Sequence, residues 1–150
     1  MDVRRYSADD LAACLAVFDS NVPKFFDVSE RAGFEEFLAG NRWPYIVLEH
    51  AGEIVGCGGW APEEDGALIA MTWGMVRRTL HGSGLGRFLL MYRVREAAKM
   101  PGAERVRLST SQHTAGFFQK LGFKVAETRK DGFAPGIDRI EMVMILNVCP

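Results

Sequence analysis

Leu80-His81-Gly82-Ser83-Gly84-Leu85-Gly86-Arg87 stands between a β-like run and an apolar, helix-forming run, and its reading decides the rest of the chain. Glycines at every second position allow a sharp turn and a close approach to a ligand, because no Cβ obstructs and positive φ costs little. The turn then opens a helix. The first N–H groups of a helix lack intrahelical partners and carry about half a positive charge, so a phosphate placed there is stabilised. The same letters also suit a plain tight turn, so the flanking elements must decide.

Before the loop, Ala67 to Val76 reads as a strand with no Asp or Glu in it. After the loop, Leu85 to Met100 reads as a helix with Leu85, Phe88, Leu89, Leu90, Met91 and Tyr92 toward a sheet. Arg93, Arg95, Glu96 and Lys99 are expected to carry its far end into solvent, and Pro101-Gly102 ends it. Arg105 to Ser109 then alternates as a strand. Strand, crossover helix and strand make a right-handed parallel unit, and such units bind ligands beyond the carboxyl ends of their strands, where this loop lies.

Further upstream, Tyr45–Glu49 and Ile54–Trp60 form a hairpin around His50-Ala51-Gly52-Glu53. Gly56, Gly58 and Gly59 inside its second strand mark a bulge or the close approach of another group. The chain opens with a short strand, Val3 to Tyr6, and a helix capped by Ser7 with Asp10 and carrying Leu11, Cys14, Leu15 and Phe18. Phe25-Phe26 lies in a connection before Ser29, a second N-cap, and a helix with Phe34, Phe37 and Leu38 that ends on Gly40 as its C′ residue.

Downstream, Thr110-Ser111-Gln112 caps a helix bearing Ala115, Phe117, Phe118 and Leu121 and closing at Gly122. Phe123 to Glu127 is a strand. A long turn through Asp131-Gly132 and Pro135-Gly136 leads to the last strand, Arg139 to Leu146, whose Ile140, Met142, Met144 and Leu146 share a face and offer a homodimer edge.

At 150 residues, 48% hydrophobic and 25% charged, residues 1–150 are expected to form one globular domain. A net charge of −1 gives no electrostatic case for nucleic acid, the apolar runs are too short to span a bilayer, and Met1-Asp2-Val3-Arg4 begins no signal peptide. The expectation is a soluble, cytoplasmic protein without nucleic-acid or membrane partners. Cys14, Cys57 and Cys149 show neither a disulfide framework nor zinc-ligand spacing, and three scattered histidines argue against a metal.

This order of elements, with this loop at this point, resembles the GNAT superfamily of N-acetyltransferases over essentially the whole chain. Two motifs carry the resemblance. Val76 and His81-Gly82-Ser83-Gly84-Leu85-Gly86 fall in register with a strand end and a Q/R-x-x-G-x-G/A loop, and Phe118-Gln119-Lys120-Leu121-Gly122-Phe123 matches an aromatic followed by x-K-L-G-F. The resemblance implies an α/β (α+β) fold, the GNAT fold: a mixed central sheet of about six to seven strands with four helices, its strands splayed at the acetyl-CoA site. It implies acetyl-CoA as cosubstrate, with the pyrophosphate on His81, Gly82, Ser83, Gly84, Leu85, Gly86 and Arg87, and the pantetheine on Met75 and Val76 beside Phe118. The implied activity is acetyl transfer to a primary amine of a small molecule by direct attack in a ternary complex.

Two residues depart from the family pattern. His81 replaces Gln or Arg, a small change where the backbone does the binding. Phe118 replaces the tyrosine that often protonates the departing CoA thiolate, and phenylalanine has no proton to give. Solvent is one substitute donor; Ser111 and Tyr45 are others, with capping the plainer role for Ser111. Carboxylates that could deprotonate the amine are Glu30, Glu35, Glu36, Glu64, Asp65, Asp138 and Glu141, each of which also reads as a solvated surface charge, as does His113. Phe25, Phe26 and Trp73 are the aromatics placed nearest an acceptor pocket. Two other functions fit: a non-catalytic acyl-CoA sensor, which Phe118 and the acid-free third strand favour, and an acetyltransferase acting on a protein or peptide amine.

Overall fold

The computed structural model describes residues 1–146, so Cys149 lies outside the described residues. The elements are β1 (Asp2–Arg5), α1 (Leu11–Ser20), α2 (Arg31–Gly40), β2 (Tyr45–His50), β3 (Glu53–Glu63), β4 (Leu68–Val76), α3 (Leu85–Ala98), β5 (Arg105–Thr110), α4 (Ala115–Lys120), β6 (Lys124–Ala134) and β7 (Ile137–Ile145). The strands form one seven-stranded sheet in the order β1-β2-β3-β4-β5-β7-β6. Its one parallel pair, among the described residues, is β4 with β5.

That pair is brief. Leu68, Ile69 and Ala70 face Arg105, Val106 and Arg107, and neither strand then continues against the other. Beyond this point β4 runs on to Val76 beside β3, while β5 runs on to Thr110 beside β7. The two strands therefore splay, each with its edge toward the other unpaired beyond Ala70 and Arg107.

Apolar residues alternate between two cores, as strand geometry requires. On one face Leu89, Leu90, Val94 and Ala97 of α3 pack on Val55, Ile69, Val106, Leu108 and Met142. On the other, Cys14, Val17 and Phe18 of α1 and Phe34 and Leu38 of α2 cover Tyr45, Val47, Cys57 and Met75. Fully buried side chains such as Phe18, Phe34, Ile69 and Leu90 each contribute about 1.5–3 kcal/mol through area removed from water.

Local signals in the sequence are met with some corrections. Asp10 accepts from the Ser7 N–H at 2.9 Å, as the capping pattern predicts. At the second helix the cap is Asp27 instead of Ser29: its carboxylate accepts from the Ser29 N–H at 2.9 Å, and Glu30 reaches back to the Asp27 N–H at 2.8 Å. Gly40 belongs to α2 itself, and the chain leaves the helix through extended Asn41 without a left-handed residue. The long turn predicted after the sixth strand is a continuation of β6 with an irregularity between Arg129 and Ala134, so the hairpin closes tightly on Pro135-Gly136.

Two corrections bear on function. Arg93 does not reach solvent; it is 5% exposed, between α3 and the sheet. The last strand is no edge either, because β7 lies between β5 and β6. The outer strand on that side is β6, whose Lys124, Glu127, Arg129, Lys130 and Asp131 are exposed and charged, a composition that blunts edge pairing.

Candidate acetyl-CoA and acceptor site

The splay opens beside the glycine loop, which follows directly on the end of β4. After Val76 the chain makes a short helical turn, Arg78–Leu80, and then runs through Gly82 (φ 81°) and Gly84 (φ 92°) into α3. These two positions need glycine, because an L side chain there would be held left-handed. Among the described residues, the N–H groups of Gly82, Gly84, Gly86 and Arg87 make no hydrogen bond. Together they form a cluster of free donors at the positive end of a 14-residue helix.

His81 turns away from these donors: its Nε2 lies 2.9 Å from the Val76 carbonyl oxygen, which also accepts from Asn21 Nδ2 at 3.0 Å. The end of β4 is thereby tied to α1 and to the loop. Lys24 and Arg78 stand over the Phe25 ring, 5.4 and 5.5 Å from its centroid, adding positive charge near the loop.

Phe25 and Phe26, adjacent in sequence, do different work. Phe26 stacks on Phe18 at 4.9 Å and approaches Trp73 at 6.4 Å, so it belongs with the aromatic wall. Phe25 instead lies edge-on to His81 at 4.9 Å and His113 at 6.1 Å, spanning from the glycine loop to the start of α4. Trp73 is held with φ at 39° in a bulge of β4, and its ring stacks on Phe34 at 5.1 Å. The three aromatics thus divide into a wall and a bridge.

Tyr45 and Ser111 are both committed elsewhere. The Tyr45 hydroxyl donates to the Trp73 carbonyl at 2.8 Å, and burial pushes its pKa well above the ordinary phenol value. Ser111 is buried, and its Oγ accepts from the His113 N–H at 3.3 Å in the turn before α4; the expected cap at Thr110-Ser111-Gln112 is displaced, because the N-cap of α4 is Thr114. Phe118 packs against Phe117 and Phe123 at 5.1 and 6.0 Å.

The carboxylates sort by position. Glu30 completes a cap, Glu35 pairs with half-buried Arg31 at 2.8 Å, Glu64 with Arg105 at 3.2 Å, and Asp138 accepts from the Asp131 N–H at 3.0 Å. Glu36 and Asp65 are exposed. Glu141 is different, because it pairs in register with Ser109, two residues past the last contact of β5 with β4. It accepts from Ser109 Oγ at 2.6 Å and Arg139 Nε at 2.7 Å, with Arg107 Nη1 at 3.5 Å. Burial works to raise Glu141, but these donors outweigh it and hold the carboxyl below its ordinary range.

Glu141 also lines a cleft of about 270 Å³ with Arg107, Glu127, Arg129 and Arg139. Sequence reading singles out Glu141 but not the arginines around it, although the alternation of Arg105, Arg107 and Ser109 with Val106, Leu108 and Thr110 marks a polar face on β5. Arg107 is further paired with Glu63 at 2.6 and 2.9 Å.

The sequence profile described as acetyltransferase (GNAT) domain matches residues 41–125, from before β2 to the start of β6. The chain belongs to the GNAT acetyltransferase family. The GNAT fold is equally evident in solved structures. An aminoglycoside 6'-N-acetyltransferase complexed with coenzyme A superposes with a TM-score of 0.78 at 15% identity, covering 100% of this chain and 99% of that one. The ribosomal-protein-S18-alanine N-acetyltransferase from Escherichia coli gives 0.80 at 20% identity, with 99% and 96% covered. The IAA acetyltransferase from Bacillus cereus gives 0.75 at 20%, with 97% and 99% covered. No curated protein matches the sequence significantly. Among the described residues no helix is long and apolar enough to cross a membrane, and no cluster of His, Cys, Asp and Glu could hold a metal ion.

Proposed function

We propose that residues 1–150 form one acetyl-CoA-dependent N-acetyltransferase that acts in the cytoplasm on a primary amine of a small molecule. The observation that carries this reading is the splay of β4 from β5 directly beside the free N–H groups of the glycine loop. One end of the cleft suits a diphosphate, and its open strand edges suit the amides of pantetheine. His81, Gly82, Ser83, Gly84, Leu85, Gly86 and Arg87 would surround the diphosphate, and Met75, Val76 and Phe118 the pantetheine arm.

In this reading the amine attacks the thioester directly in a ternary complex. The amine nitrogen bonds to the carbonyl carbon, the carbonyl electron pair moves onto oxygen, its return expels CoA thiolate, and the excess proton on nitrogen passes to water. Orientation and backbone donors supply most of the acceleration. The acceptor enters between the aromatic wall of Phe26 and Trp73 and the charged cleft of Arg107, Arg139 and Glu141. Glu141, held ionised, is better suited to pairing with an ammonium than to removing its proton.

Amine-dependent release of free CoA thiol, followed over a panel of amino acids, polyamines, aminoglycosides and peptides, tests the proposal. Release with one class and millimolar or tighter CoA binding would support it; no binding of CoA would overturn it. A second reading, an acyl-CoA sensor, is favoured by Phe118 and the absence of an acid from β4, and predicts binding without turnover on every amine. Turnover confined to peptides would instead make the protein a peptide acetyltransferase.

A further inference from the structure

Arg93 is a buried cation without a counterion. It is 5% exposed, and no carboxylate among the described residues pairs with it. Burial pulls its guanidinium down to about 10, so it remains charged at neutral pH. A methionine at this position would pack between α3 and the sheet without that cost. The surroundings are nevertheless shaped for the arginine. A Cβ on Gly58 would stand 2.8 Å from Arg93 Nε, and one on Gly74 would overlap Nη1.

The guanidinium grips the bulge that separates β3 from β4. Cys57 faces Met75 and Gly59 faces Thr72, so β4 carries an extra residue there, and Trp73 takes its left-handed φ of 39°. Arg93 Nε and Nη2 donate to the Gly59 carbonyl at 3.2 and 3.0 Å, and Nη2 also donates to the Thr72 carbonyl at 3.1 Å. Both strands are held at the irregular step. The third nitrogen, Nη1, has no hydrogen bond among the described residues and lies against Gly74, which is exposed in the splayed part of β4. Thr72, whose carbonyl Nη2 reaches, also carries a fully buried Oγ1 without a partner among the described residues.

We propose that Arg93 is a positioning residue for acyl transfer, pinning the β4 bulge and setting a buried positive charge beneath the thioester carbonyl. This rests on acetyl-CoA occupying the splay as proposed above. Negative charge builds on the thioester oxygen as the amine adds and disappears when the thiolate leaves. A fixed cation in a low-dielectric floor favours that charge at no cost in reorganisation.

The test is ¹³C NMR of [1-¹³C]acetyl-CoA bound to the full chain, because the carbonyl resonance moves downfield when the bond is polarised. Unmodified protein is expected to show that displacement. Arg93→Met is expected to bind CoA within about three-fold of it, since the glycine loop is untouched, yet to lose most of the displacement. Arg93→Lys should restore part of it. Acyl transfer by the Met variant should fall about 10²–10³-fold, as for loss of an oxyanion donor, with little change in KM for acetyl-CoA.

Gly74→Ala, which keeps the arginine but pushes its guanidinium aside, should reproduce the loss and carries the comparison if Arg93→Met fails to fold. A folded Met variant with an undiminished displacement, one that no longer binds CoA, or unmodified protein that binds without displacement would each overturn this proposal alone. Failure of unmodified protein to bind acetyl-CoA would overturn the cofactor reading together with it.

Discussion

Gly86→Ala separates what the glycine loop does for folding from what it does for a ligand. Gly86 lies in the first turn of α3, and its φ is not positive, unlike those of Gly82 and Gly84. A Cβ there would meet Phe117 Cζ at 3.6 Å, an ordinary van der Waals contact. Folding therefore gives no reason for glycine, and alanine should stabilise the helix by about 0.5–1 kcal/mol. For a chain of this size that raises the melting temperature by about 1–4 °C. If a diphosphate approaches the N–H groups of Gly86 and Arg87, the added methyl stands in its way. Loss of one charge-assisted hydrogen bond, about 1.5–3 kcal/mol, weakens CoA binding about 10–150-fold. Calorimetry of thermal unfolding and CoA titration read the two effects independently. Destabilisation by more than about 1 kcal/mol, or unchanged CoA affinity, would refute the reasoning.

Gly59→Ala should be costly, by about 1–3 kcal/mol, because its Cβ would stand 2.7 Å from Tyr45 Cδ1 and 2.8 Å from Thr72 Oγ1; Gly116→Ala, with nothing within 4 Å, should be neutral or stabilising in the same denaturant titration. Asp10→Asn should cost about 1–2 kcal/mol at neutral pH, because the Asp10 carboxylate accepts from Arg4 twice at 2.8 Å and from the Ser7 N–H. Those donors, Arg4 first, hold Asp10 below its ordinary value, so the stabilisation is complete above about pH 4 and disappears as pH falls through the lowered value; a gap between the two proteins that stays constant down to pH 2 in acid titration would contradict this. Phe118→Tyr restores a hydroxyl at the family's acid position but should change kcat by less than about three-fold with a competent amine, because a thiolate leaves readily near neutral pH; a gain of about 10²-fold would show that protonation limits turnover.

What the sequence revealed was what short-range physics encodes. The glycine loop, the hairpin on Ala51-Gly52 and the alternation in β5 are each written within a few consecutive residues, and all three are found in place. Arg93 was misassigned because a charged residue on a helix ordinarily faces water; its burial depends on Gly58 and Gly74, which belong to two different strands. The place of β7 inside the sheet was equally hidden, since the chain passes from α4 to β6 first and only then returns β7 to pair with β5. Phe25 and Phe26 looked like one feature because they are adjacent, yet they bridge and wall different parts of the cleft.

The division between legible and hidden follows the chemistry of the two halves of the site. On the proposed reading the donor half is built from backbone groups: free N–H groups at a helix start and the open edge of a strand. Backbone can be exposed in this way only through glycines and a break in pairing, and both leave marks in a sequence. On the same proposed reading the acceptor half is built from side chains of β4, β5, β7 and the connection between α1 and α2, whose letters are common on any surface. On the proposed reading, neither half supplies a strong proton donor or acceptor. Phe118 has no proton to give, the Tyr45 hydroxyl is engaged by Trp73, and Glu141 is held ionised by Ser109, Arg139 and Arg107. Proton transfers then fall to water, and the chain's contribution is geometric and electrostatic: a cradle for the donor, a bulge held by Arg93, and a carboxylate placed to meet the amine.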